Sequence, residues 1–306
     1  MTKENSQPGE ARASGASVAD TLATDSRGAP PPLLQQQYQF LGDSDIPCSR
    51  YTSQAFADLE TERLWGRCWQ WACREEHIPD VGDNYVYNIG PYSVIVVRSA
   101  QDGIRAFVNS CTHRGTRLLG AEGVGFSPRI TCPFHGWSWS VEGRLESLPA
   151  RWDFPHVGDD SHDLQAVKCE TWGGFVFINL DPDALPLAEY LDVMPQHFQH
   201  YPLERRRVRL HVQKILPANW KAAQEAFMEA YHNFETHDAP NGANAQYDIF
   251  GSYVSRFIHN IGNYSAESLA DYPGNKGRDP PLTENQLLQS LTVCGQEQEE
   301  VPAGET

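Results

Sequence analysis

Apolar residues recur along this chain at two spacings, and the switch between them marks out its elements. From Thr52 to Trp65 the spacing is helical. Phe56, Leu59, Leu64 and Trp65 share one side, and Ser53 can cap the first turn. From Asn84 the period becomes two. Tyr85 and Tyr87, then Val94, Val96 and Val97, form short runs broken by Gly90-Pro91, and Asp102-Gly103 marks a hairpin ahead of Ile104 to Val108. The strand and turn pattern continues through Trp137-Ser138-Trp139 and Gly143-Arg144, and ends near Arg151 to Pro155, which reads as a connecting segment. The apolar run Trp172 to Leu180 predicts one buried strand, and Asn219-Trp220-Lys221 opens a second helix expected to run through Tyr231. The tryptophan-rich stretch Trp65 to Trp71 predicts packing. Both ends lack any such pattern. Residues 1 to about 38 are rich in Gly, Ala, Ser, Pro and Gln, too poor in apolar side chains to offset ordering entropy, so order is expected to begin near Ile46-Pro47. The polar, acidic tail from Cys294 to Thr306 predicts disorder as well.

Composition narrows the class. At 306 residues the chain is long enough for two domains with a sizeable core. Lys and Arg number 24 against 40 Asp and Glu, a formal charge of −16, so neither a nucleic-acid footprint nor a polybasic membrane patch is present. No apolar run reaches the roughly 18 residues of a membrane span. The N-terminus has no hydrophobic signal region, and a soluble cytoplasmic protein is expected. Seven cysteines is an odd number, and most of them read as reduced core residues.

Two cysteines stand apart. Cys111-Thr112-His113-Arg114-Gly115 and Cys132-Pro133-Phe134-His135-Gly136-Trp137 each place one thiol and one imidazole in a tight turn. That donor set suits a two-iron cluster with sulfur on one iron and nitrogen on the other. Neutral imidazoles in place of two thiolates make the cluster easier to reduce. A structural zinc could use the same four residues, although its usual spacing pairs Cys with Cys and His with His. A disulfide between Cys111 and Cys132 would leave the histidines unexplained. Further on, Glu225, Glu229 and His232 fall on one face of the second helix, with His237 five residues beyond it. Two imidazoles from one helix end plus a carboxylate is how a non-haem Fe(II) facial triad is built, although a solvated or core pair of histidines has the same spacing.

Together these motifs resemble the Rieske non-haem iron aromatic-ring-hydroxylating oxygenases, in particular their α (terminal oxygenase) subunit. The resemblance implies an α+β chain: an all-β Rieske [2Fe–2S] domain, then an incomplete helix-grip antiparallel α+β catalytic domain. The expected divisions are a disordered extension over 1–40, the Rieske domain over 41–160 and the partial catalytic domain over 161–306. By this likeness Cys111 and Cys132 bind one iron of the cluster, and His113 and His135 the other. His232 and His237 bind a mononuclear Fe(II). Glu229 joins an iron-ligand histidine to a cluster histidine, by analogy His135, of the neighbouring subunit, and Glu225 is a supporting candidate. Electrons from NAD(P)H would arrive through a reductase, with or without a ferredoxin. Dioxygen and an apolar substrate would meet at the iron of a homotrimer or α3β3 assembly. The sequence departs from the family in one way. Its third iron ligand is an acid far downstream, whereas this chain ends at Thr306. Asp238, Asp248, Asp271, Asp279 and Glu284 are available, none in the family's context. Most of the helix-grip sheet is therefore expected to be missing. The departure leaves room for a Rieske electron-transfer protein, or an inactive fragment, with a vestigial mononuclear site.

Overall fold

A computed structural model describes residues 18–24, 26, 28–101, 103–120, 122–158, 160–229, 232 and 246–258. They fall into two compact units. The larger holds residues 22–207 and 248–256; the smaller includes residues 208–247.

The larger unit is built on antiparallel sheet. Its strands are β1 (Gln70–Arg74), β2 (Asp83–Ile89), β3 (Tyr92–Ala100), β4 (Gly103–Val108), β5 (Gly123–Phe126), β6 (Ile130–Thr131), β7 (Ser138–Trp139), β8 (Leu145–Ser147), β9 (Ala166–Trp172) and β10 (Phe175–Asn179). Seven form one sheet in the order β1-β10-β9-β4-β3-β2-β5, and β6-β7-β8 form a small second sheet. Register is set by tight turns. Ile89 pairs with Tyr92 across Gly90-Pro91, and Gly90 takes the left-handed position (φ 53°). The hairpin after Ala100 forms where expected, although Asp102 lies outside the described residues.

β3 explains why Val94-Ile95-Val96-Val97 is apolar without interruption. All four side chains are fully buried, and they alternate between two cores. Val94 and Val96 join Ala72, Cys73, Ala106, Val176 and Ile178, so the sheet curls until β1 and β10 share a core with its middle. Ile95 and Val97 face the other way. They pack with Phe107, Ile130, Trp137, Trp139 and Leu148, which seats the small sheet and its loops.

The first predicted helix forms over Gln54–Glu60, with the Ser53 side chain accepting from the Phe56 N–H, and continues as a π-helical turn over Thr61–Trp65. Leu59, expected to be covered, is exposed. Of the tryptophans, Trp69 is buried, whereas Trp71 is exposed and meets Phe175 edge-on at 5.1 Å.

Three expectations need correction. The run Trp172 to Leu180 is not one strand. Gly173 and Gly174 both take positive φ (60° and 79°), turning the chain between β9 and β10 as a two-residue hairpin requires. Because β9 and β10 complete the main sheet, the expected boundary at 160/161 falls inside the larger unit, which continues to 207. The N-terminal extension is not structureless up to residue 40. Pro31–Leu34 forms one helical turn, and the stretch from Pro32 to Gln37 is tied down by β11 (Gln246–Phe250) and β12 (Val254–Ile258). The Arg256 guanidinium donates to the carbonyls of Pro32 (2.6 Å) and Gln35 (2.5 Å). The Gln37 N–H donates to Asp248 Oδ1 (2.7 Å), and its carbonyl accepts from the Ile249 N–H (3.0 Å). Residues 1–17 and the tail from Cys294 lie outside the described residues.

In the smaller unit Asn219 caps the helix Trp220–Glu225 by accepting from the Lys221 N–H. The helix stops there instead of reaching Tyr231. Phe227 and Met228 donate back only three residues, to Gln224 and Glu225, which tightens the chain into a terminal turn. Glu225, Glu229 and His232 therefore do not share one helical face.

Candidate metal centre

The Cys and His pairs sit on two turns with the same backbone design. One runs from Cys111 to Thr116 after β4, the other from Cys132 to Trp137 between β6 and β7. In each, the Cys N–H donates to the carbonyl five residues on: Cys111 to Thr116 and Cys132 to Trp137, both 2.8 Å. The glycine four residues on donates back to the Cys carbonyl, Gly115 at 2.8 Å and Gly136 at 3.1 Å. Both glycines hold the left-handed conformation that closes the loop, with φ 73° and 75°. Each turn also aims two main-chain N–H groups at its own sulfur: those of His113 and Arg114 at Cys111, and those of Phe134 and His135 at Cys132.

Both sulfurs are buried, and the two thiols influence each other's ionisation. Burial pushes the Cys111 thiol up. Burial acts the same way on Cys132, but the two amides, the Cys111 thiol and the Thr116 hydroxyl outweigh it and hold Cys132 below the ordinary thiol range.

The imidazoles converge beside them, with ring centroids 4.9 Å apart. The His113 ring stacks on Trp137 (4.8 Å, 4° between planes), and Phe154 stands edge-on to both. His135 is exposed, against Phe134 at 4.1 Å. Together His113, His135, Trp137, Pro149 and Phe154 line a cleft of about 390 Å³. Burial first, then the neighbouring His135, Arg114 and His162, lowers the His113 pKa, so the ring is held neutral, the form that binds metals.

One atom tests the fit to a metal group. His113 Nδ1 is buried with no hydrogen-bond partner, a costly condition that a metal bond relieves. The donors come as a sulfur pair and a nitrogen pair, and no three of the described His, Cys, Asp or Glu side chains converge on one point. A single tetrahedral ion is poorly served by that division; two irons bridged by sulfide fit it.

The second set of predicted ligands is described only in part. His232 Nδ1 is hydrogen-bonded to Glu229 Oε1, and Glu229 Oε2 accepts from the His232 N–H at 3.1 Å. This contact holds the imidazole by its Nδ1 edge. His237 lies outside the described residues, as do Asp238, Asp271, Asp279 and Glu284. Asp248 is fully buried: its Oδ2 accepts from Arg256 Nη2 and Nε, at 2.6 and 3.0 Å, and its Oδ1 from the Gln37 N–H, so both oxygens are already engaged.

Residues 68–157 match the Rieske [2Fe-2S] domain family. The chain carries a Rieske domain. It is homologous to the α subunits of the Rieske oxygenases, and so to both dioxygenases and monooxygenases. The α subunit of biphenyl 2,3-dioxygenase from Rhodococcus jostii is 35% identical over 189 residues, which are 60% of this chain and 41% of that protein. The oxygenase subunit of carnitine monooxygenase from Escherichia coli is 30% identical over 61% of this chain and 50% of its own length. The structure of naphthalene 1,2-dioxygenase from Rhodococcus sp. bound to indole superposes with a TM-score of 0.57 at 31% identity, covering 63% of this chain and 45% of that one. The chain spans half or less of the length of these relatives. The Rieske domain of such a chain holds a [2Fe–2S] cluster, and all four expected ligand residues lie inside the matched span. The aromatic wall of Trp137 and Phe154 was not foreseen as part of the site. Its only sequence signal was the position of Trp137 as the last residue of the second turn.

Proposed function

We propose that this chain is the electron-receiving part of a terminal oxygenase that hydroxylates an aromatic or other apolar compound with dioxygen. The observation that carries the reading is the pair of matched turns, each carrying one thiol and one imidazole, with His113 Nδ1 buried and without a hydrogen-bond partner. Cys111 and Cys132 would hold one iron of a [2Fe–2S] cluster, and His113 and His135 the other. His232 and His237 would hold a mononuclear iron. When bound, these groups supply one-electron transfer, at roughly −150 to +300 mV for the cluster, and oxygen activation. The polypeptide does the rest. The four amides and the Thr116 hydroxyl stabilise negative charge on the sulfurs. Trp137 and Phe154 keep water from His113, while His135 stays exposed for exchange with a reductase, a ferredoxin or a neighbouring copy. Glu229 positions His232 and, in a head-to-tail trimer or α3β3 assembly, accepts from His135 of the next copy. NAD(P)H would supply the electrons through the reductase, and the cytoplasm is the natural compartment for that chemistry. Among the described residues no helix is long and apolar enough to cross a membrane.

Iron and acid-labile sulfide per chain, measured after anaerobic purification and incubation with Fe(II), test this reading. Three irons with two sulfides are expected. Two irons with two sulfides would favour a Rieske electron carrier or an inactive fragment. That second reading is supported by Asp248, the one described acid among the candidate third ligands, whose Oδ2 is held by Arg256 and whose Oδ1 accepts from the Gln37 N–H. Absence of sulfide would sink both. Glu229→Gln should lower turnover about 10–100-fold, the usual cost of removing a carboxylate that orients a ligand histidine; unchanged turnover would remove Glu229 from the mechanism.

A further inference from the structure

The two ligand turns lie on different strands and share no backbone hydrogen bond in the larger unit's described hydrogen-bond pattern, yet both reach the same distant atom. The Thr112 hydroxyl, between the ligands Cys111 and His113, donates to the main-chain carbonyl of His162 at 2.9 Å. The Trp139 indole N–H, from the strand that follows the second turn, donates to that same carbonyl at 2.8 Å. A carbonyl oxygen has two lone pairs, and here each takes one donor.

The acceptor is itself firmly held. The Leu164 N–H donates to the Gly143 carbonyl at 2.8 Å, and Asp163 Oδ1 accepts from the Leu145 N–H at 2.8 Å. Ser161 Oγ holds His162 Nδ1 at 2.8 Å, and the His162 ring lies against Trp137, 5.6 Å between centroids. Trp139 is completely buried in the core that also contains Cys111 and Cys132. The segment from Ser161 to Leu164 is thus stitched to the β7–β8 hairpin, and through Thr112 it reaches across to the other turn.

We propose that the His162 carbonyl is a common tether for the two ligand turns, and that Thr112 and Trp139 are positioning residues that set the spacing between the cysteine–histidine pairs. The proposal rests on the assignment of those pairs to a [2Fe–2S] cluster. Its logic is that separate turns can drift apart, changing the distances a bridged cluster demands, unless something outside both holds them. One rigid acceptor does so with two bonds.

The test compares the as-isolated protein with Thr112→Val, which keeps the shape and loses the donor, Thr112→Ser, which keeps the donor, and Trp139→Phe, which keeps most of the ring and loses the N–H. Cluster loss to a chelator is followed by visible absorption, and the reduced cluster by electron paramagnetic resonance. With the tether cut, cluster loss should quicken about fivefold, the equivalent of one ordinary hydrogen bond. The resonance should broaden as the ligand spacing becomes heterogeneous, and far-ultraviolet circular dichroism should stay unchanged. Thr112→Ser should restore both rate and linewidth. If Thr112→Val fails to fold, Trp139→Phe alone decides the matter by the same two readouts. Wild-type rates and linewidths in a folded Thr112→Val or Trp139→Phe protein would overturn the tether while leaving the cluster assignment intact. A wild-type protein with no iron or sulfide would instead overturn the assignment beneath it.

Discussion

Replacing Asp248 by alanine separates two roles for that residue, an iron ligand or the counterion of a buried arginine. Asp248 is fully buried, and Arg256 is 8% exposed. The guanidinium donates twice to Asp248 and once each to the Pro32 and Gln35 carbonyls, and its Nη1 lies 3.1 Å from His197 Nε2. Removing the carboxylate leaves a buried cation with neutral partners only, a change that costs on the order of 3–5 kcal/mol. Total stability is about 5–15 kcal/mol, so the effect is large. For a unit of this size each kcal/mol moves Tm by about 2–4 °C, giving a fall of about 6–20 °C. The Gln37 N–H also loses its acceptor, so the segment around residues 32–37 should become a site of early proteolysis. Thermal unfolding followed by circular dichroism and limited trypsin digestion are the assays. A second substitution, Asp248→Leu with Arg256→Met, should recover much of the loss, because an apolar pair of similar volume removes the stranded charge. A Tm drop below about 2 °C with unchanged digestion, accompanied by a loss of bound iron, would refute the structural role and return Asp248 to the list of ligands.

Other consequences are more direct. An alanine at Gly143 would put Cβ 2.3 Å from the Phe107 ring at a φ of 86°, so Gly143→Ala should destabilise by on the order of 3 kcal/mol, read by denaturant unfolding and partly relieved by Phe107→Leu. Burial first, then Arg256, lowers the His197 pKa from 6.5. Folding therefore favours the neutral ring, and its contribution is complete above pH 6.5 and lost as pH falls toward the lower folded value. The acid slope of stability just below pH 6.5 should shrink in His197→Gln. Burial pushes the Cys73 and Cys169 thiols up to about 12, so iodoacetamide at pH 8 should modify exposed Cys48 and spare both until the protein unfolds.

The parts of this structure legible in the sequence are those made by neighbours along the chain. Each ligand turn closes within six residues, so Cys111 to Thr116 and Cys132 to Trp137 carry their geometry in their spelling. The alternating strands and the Ser53 cap are local for the same reason. What escaped was decided at a distance or by a balance. The N-terminal segment reads as disordered by composition, and is held by an arginine more than two hundred residues later. The hairpin at Gly173-Gly174 was hidden by strong apolar residues on both sides, which made two strands look like one. The second helix has helix-forming residues past Glu225 but stops there, since propensity alone does not prolong a helix with exposed Phe227 at its end. The shared His162 carbonyl has no sequence signal at all, because any residue could supply it.

The two ligand turns also differ by a single step. Their cysteines and glycines superimpose in role, but histidine is the third residue of one turn and the fourth of the other. That offset swings the two rings onto unlike ground: His113 goes inward against Trp137, and His135 goes out to the surface. A nearly symmetric pair of loops thereby presents two unequal rings. Of the two rings His135 is the more open to a molecule outside, whereas His113 lines the same cleft with its Nδ1 buried.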